Sequence, residues 1–290
     1  MNYVLIFNGL GNQMSQYAFY LAKKKVDKQC RLLIIDNPNS HNGYELRRIF
    51  GIMNNETHFD SFVKWVYTRF YHRRIFKYLV RILRVNEICE PLNYDYTPSL
   101  LLQNNILINI YIGGWHSEKY FETIAAEVKS VFSFKDVDDE KYVELLERIK
   151  SDRNSVSLHV RRGDYLNIKS DNYWQLGGVS TGEYYQKAID YIFINVVTPH
   201  FYIFSDDIEW CKQNIRVENV TYVTINQGLN SWRDMHCISM CRHHIMANST
   251  FSWWGAWLSP YKNGITLHPK WFIHNVETKD FYPERWKCIE

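Results

Sequence analysis

The side chains best suited to chemistry fall in two short stretches of the second half of the chain. The first is His159-Val160-Arg161-Arg162-Gly163-Asp164-Tyr165, which closes an apolar run that reads as a strand. Alternation along a strand sends His159 and Arg161 to one face and Arg162 to the other. In open parallel sheets ligands gather beyond the carboxyl ends of the strands, and a guanidinium fork placed there can grip a diphosphate. Taken alone, the same residues also fit a surface ion-pair cluster around Asp164. The second stretch is Ala247-Asn248-Ser249-Thr250-Phe251-Ser252-Trp253-Trp254-Gly255, where a strand gives way to small polar residues that can cap a helix. The free N–H groups of such a helix start suit a phosphate. By itself, a plain capped helix with core tryptophans is the simpler account.

Three weaker groups accompany them. Asp234 falls one turn into a helix, where a carboxylate can accept both N–H groups of guanine's Watson–Crick edge, or merely benefit from the helix dipole. Asn8-Gly9-Leu10-Gly11-Asn12-Gln13 joins a strand to a helix through glycines that allow close backbone approach, but it lacks the third glycine of the dinucleotide fingerprint. Asp206-Asp207 can hold a metal or cap the helix from Ile208; capping is preferred, and no metal site is expected. Cys237 and Cys241, with His236, His243 and His244 nearby, match no common zinc spacing. All six cysteines read as free thiols in a reducing compartment.

The elements that must position these residues follow from the pattern. Short apolar runs alternate with helical periodicity, which predicts α/β units with mainly parallel sheets. Strands are expected at 3–7, 31–36, 106–112, 155–161, 201–205, 220–224, 244–247 and 264–268. Helices are expected at 12–26, 118–131, 182–197, 232–242 and 251–258. A chain of 290 residues fits two domains, and the polar stretch Asp152–Asn154 marks the boundary, giving 1–152 and 153–290 as two nucleotide-fold-like halves facing a cleft. The opening YVLIF is too short for a secretory signal and no apolar run has spanning length, so a cytoplasmic enzyme is expected. The net charge of +3 conceals a local excess: Ser61 to Asn86 carries seven Lys or Arg and no acid. At helical spacing Phe70, Phe76, Leu79, Val80 and Leu83 form an apolar side beside that basic one, which suits either a docked surface helix or peripheral contact with an anionic inner membrane. No nucleic-acid-binding module accompanies the basic run, so no nucleic acid partner is expected.

Taken together the stretches resemble the bacterial α1,2-fucosyltransferases of glycosyltransferase family 11. Four blocks carry the likeness: Gly9–Ala18, Gly113–Phe121, His159–Tyr165 and Asn248–Leu258, with Phe204–Asp207 and Tyr184-Tyr185 in agreement. The resemblance implies a GT-B-like α/β fold with an acceptor-side first half and a GDP-fucose-binding second half. It also implies metal-independent transfer with inversion, giving an α1,2-linked fucoside on a terminal β-galactoside, a lipid-linked glycan being one form of that acceptor. By the same resemblance Arg161 meets the β-phosphate, His159 and Asp234 contact guanine, and Ser249 and Thr250 meet the diphosphate. Arg162, Asn248 and Phe251 complete the nucleotide-sugar set, and Asn12 lies near the reacting centre. Trp115 and His116 stand on the acceptor side, although His116 departs from the Gln common at its position. Asp164 and Asp171 are the candidate general bases. Transfer with another regiochemistry or GDP-sugar, and a non-catalytic binding protein, are the rival readings.

Overall fold

The computed structural model describes residues 1–36, 42–70, 85–102, 108–167 and 175–290. It divides into two compact units, Met1–Lys135 and Asp136–Glu290. The first contains strands β1 (Asn2–Ile6), β2 (Arg31–Ile34), β3 (Val85–Cys89) and β4 (Ile108–Ile112). Its described helices are α1 (Leu10–Val26), α2 (Glu45–Phe50), α3 (His58–Phe70), α4 (Pro98–Leu102) and α5 (Ala125–Val131). The second unit contains helices α6 (Glu140–Ser151), α7 (Gly182–Asn195), α8 (Ile208–Asn214), α9 (Trp232–Met240) and α10 (Thr250–Leu258). Its strands are β5 (Ser155–Val160), β6 (His200–Ser205), β7 (Val220–Val223), β8 (His243–Ile245), β9 (Thr266–Pro269) and β10 (Lys287–Ile289).

The first sheet runs β2-β1-β4-β3, all parallel. Such sheets are covered on both faces, so their central strands are apolar throughout; β1 is buried along its length. Tyr3, Leu5, Leu33 and Ile110 pack against Val63 and Tyr67 of α3. On the other side Phe19 of α1 meets Tyr111 at 5.8 Å between ring centres. A buried amide ladder pins the register. Asn109 donates to Asn2 at 2.6 Å and accepts from Asn86 at 3.2 Å, each pair sitting at matched positions on neighbouring strands. A slip would strand these groups without partners in a core that cannot solvate them.

The second sheet runs β7-β6-β5-β8-β9-β10, again wholly parallel. Val156, Leu158 and Val160 of β5 face α7, contributed by Tyr184, Tyr185, Ala188, Ile189 and Ile192. The opposite face packs Tyr202 and Phe204 against Tyr142, Leu145, Leu146 and Ile149 of α6, with Cys237 and Ile238 of α9. This places α6 in the second unit, so the boundary expected at Asp152–Asn154 lies instead at Lys135/Asp136. The polar Asp152–Asn154 turn is merely the α6–β5 connection. Helix α10 is almost wholly buried and crosses α9 closely. A β-carbon on Gly255 would lie 2.5 Å from Ile238 Cγ2, so only glycine permits that approach.

Cys30, Cys211, Cys237 and Cys241 are buried free thiols, and Cys241 donates to the carbonyl of Cys237 at 3.5 Å. Among the described residues no three His, Cys, Asp or Glu side chains form a metal-ligand group, and no helix is long and apolar enough to cross a membrane.

Candidate active site

In the second sheet the strand order reverses at the β5/β8 junction, and in parallel α/β sheets a ligand crevice forms at the carboxyl ends of such a pair. Three connections meet at this edge: Arg161–Tyr165 after β5, Asp206-Asp207 after β6, and Met246–Ser249 after β8. The Tyr165 hydroxyl donates to the Asn248 carbonyl at 3.1 Å and ties the first to the third.

Arg161 is held between two carboxylates. Its guanidinium lies 2.8 Å from Asp164 Oδ1 and 3.1 Å from Asp206 Oδ2, and its Nε donates to Asp164 at 3.0 Å. Burial works against the cation, but Asp206 and Asp164 outweigh it and hold its pKa above the usual arginine value. With 32% of its side chain exposed, it remains open to an incoming anion. Asp206 also shapes the backbone, accepting from Arg162 N at 2.9 Å and Gly163 N at 3.1 Å. Asp207 caps α8 by accepting from Trp210 N at 3.1 Å and pairs with Arg162 Nε at 3.1 Å. Arg162 in turn lies 4.0 Å over the Trp210 ring. Thus Arg161 faces the edge, whereas Arg162, expected in the nucleotide-sugar set, has its guanidinium taken up by Asp207 and Trp210. Asp164 partners Arg161, and Arg162 pairs with Asp207.

His159 is buried beside Phe251, 5.5 Å between ring centres, and its Nδ1 has no hydrogen-bond partner among the described residues. Burial, aided by the Arg161 charge, pushes its pKa down to about 3, so the ring is neutral. An orphaned buried nitrogen of this kind calls for a ligand partner. Ser249 caps α10, its hydroxyl accepting from Phe251 N at 3.3 Å. Thr250 opens the helix and is half-buried. Asn248 is fully buried. Its amide donates to the Leu176 and Phe272 carbonyls at 2.9 and 3.0 Å, and its oxygen accepts from Ser180 at 2.8 Å. That side chain therefore offers no group to a nucleotide, and its expected contact role is corrected to one of fixing the turn.

Asp234 stands in the first turn of α9, the helix that follows β7 and so starts at the same edge of the sheet. It is half-buried and accepts from Asn226 Nδ2 at 2.8 Å. Burial pushes its pKa up to about 7, against the lowering effect of that bond. Asn226 has a buried side-chain oxygen with no partner among the described residues. The sequence reading missed it, since an Asn in a loop carries no motif signal.

In the first unit Asn8 follows β1 with φ of 65°, and Asn12, half-buried, lies in the first turn of α1. Gln13 donates to the Asn8 and Gly43 carbonyls at 2.6 and 2.7 Å and accepts from Glu45 N at 2.9 Å, so it knits the loops around Asn12. Trp115 corrects an expectation. It is 0% exposed and stacks on Phe19 at 4.1 Å, so it is a core residue with no face to offer an acceptor. His116 is also buried, 3.0 Å from Ser15 Oγ, with its pKa pushed down to about 3 by burial. Glu90, also missed, accepts from Gly114 N and Trp115 N at 2.7 Å each and holds this turn. Burial drives its pKa up to about 7 in spite of those bonds. Asp171 and the basic stretch from 71 to 84 lie outside the described residues.

A reversing parallel sheet that presents a half-buried Arg and a capped helix start is a layout suited to nucleotide-using α/β enzymes. Residues 93–290 match the profile of glycosyl transferase family 11. The chain is 32% identical over 298 residues to the alpha-1,2-colitosyltransferase of Escherichia coli, with 97% of this chain and 96% of that protein covered. It is 30% identical over 182 residues to galactoside alpha-(1,2)-fucosyltransferase 1 of Aotus azarae, covering 59% of this chain and 49% of that one. Among solved structures, fucosyltransferase NodZ from Bradyrhizobium superposes with a TM-score of 0.54 at 13% identity, over 89% of this chain and 92% of that one. The chain belongs to glycosyl transferase family 11 and has the GT-B-like α/β fold expected from its sequence.

The Asp206 clasp leads to a direct test. A β-carbon on Gly163 would lie 2.8 Å from Asp206 Oδ2, so Gly163→Ala must loosen the clasp. A loss of about 1–2 kcal/mol is expected in chemical denaturation. In an Asp206→Ala background the same change should cost close to nothing, because the two residues share one interaction. Additive losses would show that the clasp does not hold the turn.

Proposed function

We propose that the protein transfers L-fucose from GDP-β-L-fucose to the 2-hydroxyl of a terminal β-galactoside, with inversion and without a metal. The observation that carries this reading is Arg161, held open to solvent at the strand reversal where the capped start of α10 also emerges. The acceptor oxygen attacks the anomeric carbon as the bond from that carbon to the β-phosphate oxygen breaks. GDP departs with the bonding electrons, and the hydroxyl proton goes to a base. Arg161 and the first N–H groups of α10 stabilise the charge that grows on the β-phosphate, the term that usually contributes most. As the diphosphate engages Arg161, Asp164 is freed from its ion pair and can take the proton. Asp234, when ionised, accepts the two guanine N–H groups, and the orphaned His159 Nδ1 supplies a further polar contact to the nucleotide. Asn12 is assigned to the acceptor side in the first unit. Asp206 and Asp207 serve the turn and the helix cap, which supports a reaction needing no ion between them.

A second reading concerns the donor sugar. The full-length similarity to a colitosyltransferase favours GDP-colitose, whose sugar is L-fucose without its 3-hydroxyl. Incubation with either donor and lactose, followed by linkage analysis, separates the two. An α1,2-linked fucosyl product formed with the higher kcat/KM, also in excess EDTA, is expected. Preference for the deoxy sugar would move the assignment to colitose, and loss of turnover in EDTA restored by Mg²⁺ would return Asp206 and Asp207 as ligands.

Arg161→Lys should lower turnover by roughly a hundredfold or more, because an ammonium cannot reproduce the planar fork. Near-parental rates in a GDP-fucose turnover assay would remove Arg161 from the leaving-group site. Asp234 makes a pH prediction. Its folded-state pKa of about 7 lies above the ordinary carboxylate value, so the free protein keeps a proton there through the mildly acidic range. That protonated form contributes stability that is lost as pH rises through about 7, while guanine needs the ionised form. GDP-fucose, which has no titrating phosphate in this range, should therefore bind about tenfold more tightly at pH 8 than at pH 6. Asp234→Asn should flatten the profile in calorimetry. A flat profile in the parent would refute the guanine role.

A further inference from the structure

The loop between β7 and α9 carries a buried amide whose side chain serves one group. Asn226 is 6% exposed and donates from Nδ2 to Asp234 Oδ1 at 2.8 Å. Its Oδ1 is buried without a partner among the described residues, so the amide does not tie the loop to a neighbour. A buried amide placed for structure has both ends satisfied, and a bare end works against folding. Asp234 is as exclusive in return. Among the described residues it pairs with no cation, since the adjacent Arg233 sends Nη1 to Asp139 at 2.6 Å, and the Asn226 amide is the donor that its carboxylate accepts.

We propose that Asn226 is a positioning residue for nucleotide recognition: its amide orients the Asp234 carboxylate and favours the charged form that the N–H groups of guanine need. The inference rests on the guanine role proposed for Asp234. An amide N–H is answered by an acceptor, and an ionised carboxylate is an acceptor at both oxygens, so the bond selects the form that guanine also selects. Burial drives the carboxyl up to about 7, and the Asn226 bond is the contact that opposes it. No neighbour duplicates this effect. Helix α6 contributes Tyr142 and α9 contributes His236 and Cys237, all kept uncharged by burial. Helix α10, packed on α9, carries no titratable side chain.

The test is calorimetry of GDP-fucose binding by the full chain between about pH 6 and pH 8. Asn226→Leu removes the donor and the bare oxygen together, so its unfolding midpoint in denaturant should not fall below the parent's. Losing the bond should raise the Asp234 midpoint by about one pH unit, which carboxyl carbon NMR of the ligand-free chain reads directly. GDP-fucose should then bind about fivefold more weakly at pH 7 and only about twofold more weakly at pH 8. In an Asp234→Asn background Asn226→Leu should change nothing, because the effect passes through Asp234. A parental pH profile in Asn226→Leu would overturn the proposal while leaving the guanine reading intact, whereas a flat profile in the parent would remove both. Equal weakening at every pH with a lower unfolding midpoint would reduce Asn226 to a support of the loop and also overturn it. Should Asn226→Leu misfold, the isosteric Asn226→Asp exchanges the donor for an acceptor and should raise the Asp234 midpoint at least as far; an unmoved midpoint there would be equally decisive against the proposal.

Discussion

The arrangement at the candidate active site depends on one carboxylate. Asp206 leaves the end of β6 and takes the N–H groups of Arg162 and Gly163, on the turn that leaves the neighbouring strand β5. Its second oxygen also reaches the Arg161 guanidinium. The direction of the turn, the position of the arginine and the need for glycine at 163 therefore share a cause. A turn satisfied in this way needs no further protein partner on its outer side, and Arg161 can stay partly exposed without becoming mobile. Such pre-organisation suits the role proposed for Arg161, since little reorientation would then be left for the transition state.

The first unit uses the same device with a different electrostatic outcome. Glu90 leaves β3 and takes the N–H groups of Gly114 and Trp115 on the turn that leaves the neighbouring strand β4. A β-carbon on Gly113 would sit 2.4 Å from Glu90 Cβ, so glycine is again required where the carboxylate comes close. Among the described residues no cation is paired with Glu90, and its other oxygen is buried without a partner. Burial then wins, and the carboxyl titrates at about 7. At Asp206 the adjacent guanidinium supplies the compensation that Glu90 lacks. One backbone solution thus produces an ion-paired edge in one unit and a nearly neutral, closed turn in the other. The closure also explains why Trp115, at φ of 54°, is drawn into the core.

Much of this was legible in the sequence, and the exceptions have physical causes. The central strands read clearly because strands covered on both faces must be apolar throughout. The edge strands β3 and β10 did not, because half of each meets solvent and their sequences, VNEIC and KCI, carry no run. The expected helix over 118–131 is two 3₁₀ turns followed by α5. Alternation correctly separated Arg161 from Arg162, yet it could not say which arginine would stay open. That depended on Trp210 and Asp207, brought near by the parallel pairing of β5 with β6. Glu90 was invisible for a similar reason: it acquires its role only from the turn after β4, 24 and 25 residues further on.

The two carboxylates on Arg161 also constrain how a diphosphate can bind. A donor phosphate arriving there meets Asp164 and Asp206 as well as the guanidinium, and like charges about 4 Å apart repel by roughly 4 kcal/mol at an effective dielectric constant of 20. One arginine shared among three anions is a poor site. It improves if one carboxylate leaves, and the two are not equally free to do so. Asp206 is bound to two backbone N–H groups, and its departure would undo the turn. Asp164 lies on the turn itself in a short 3₁₀ segment, and its side chain is about as exposed as that of Arg161. In the proposed reaction Asp164 is therefore the group expected to yield. On the proposed mechanism it would become available as a base only once the donor is in place. The Arg161–Asp164 ion pair would then hold that carboxylate until a donor displaces it.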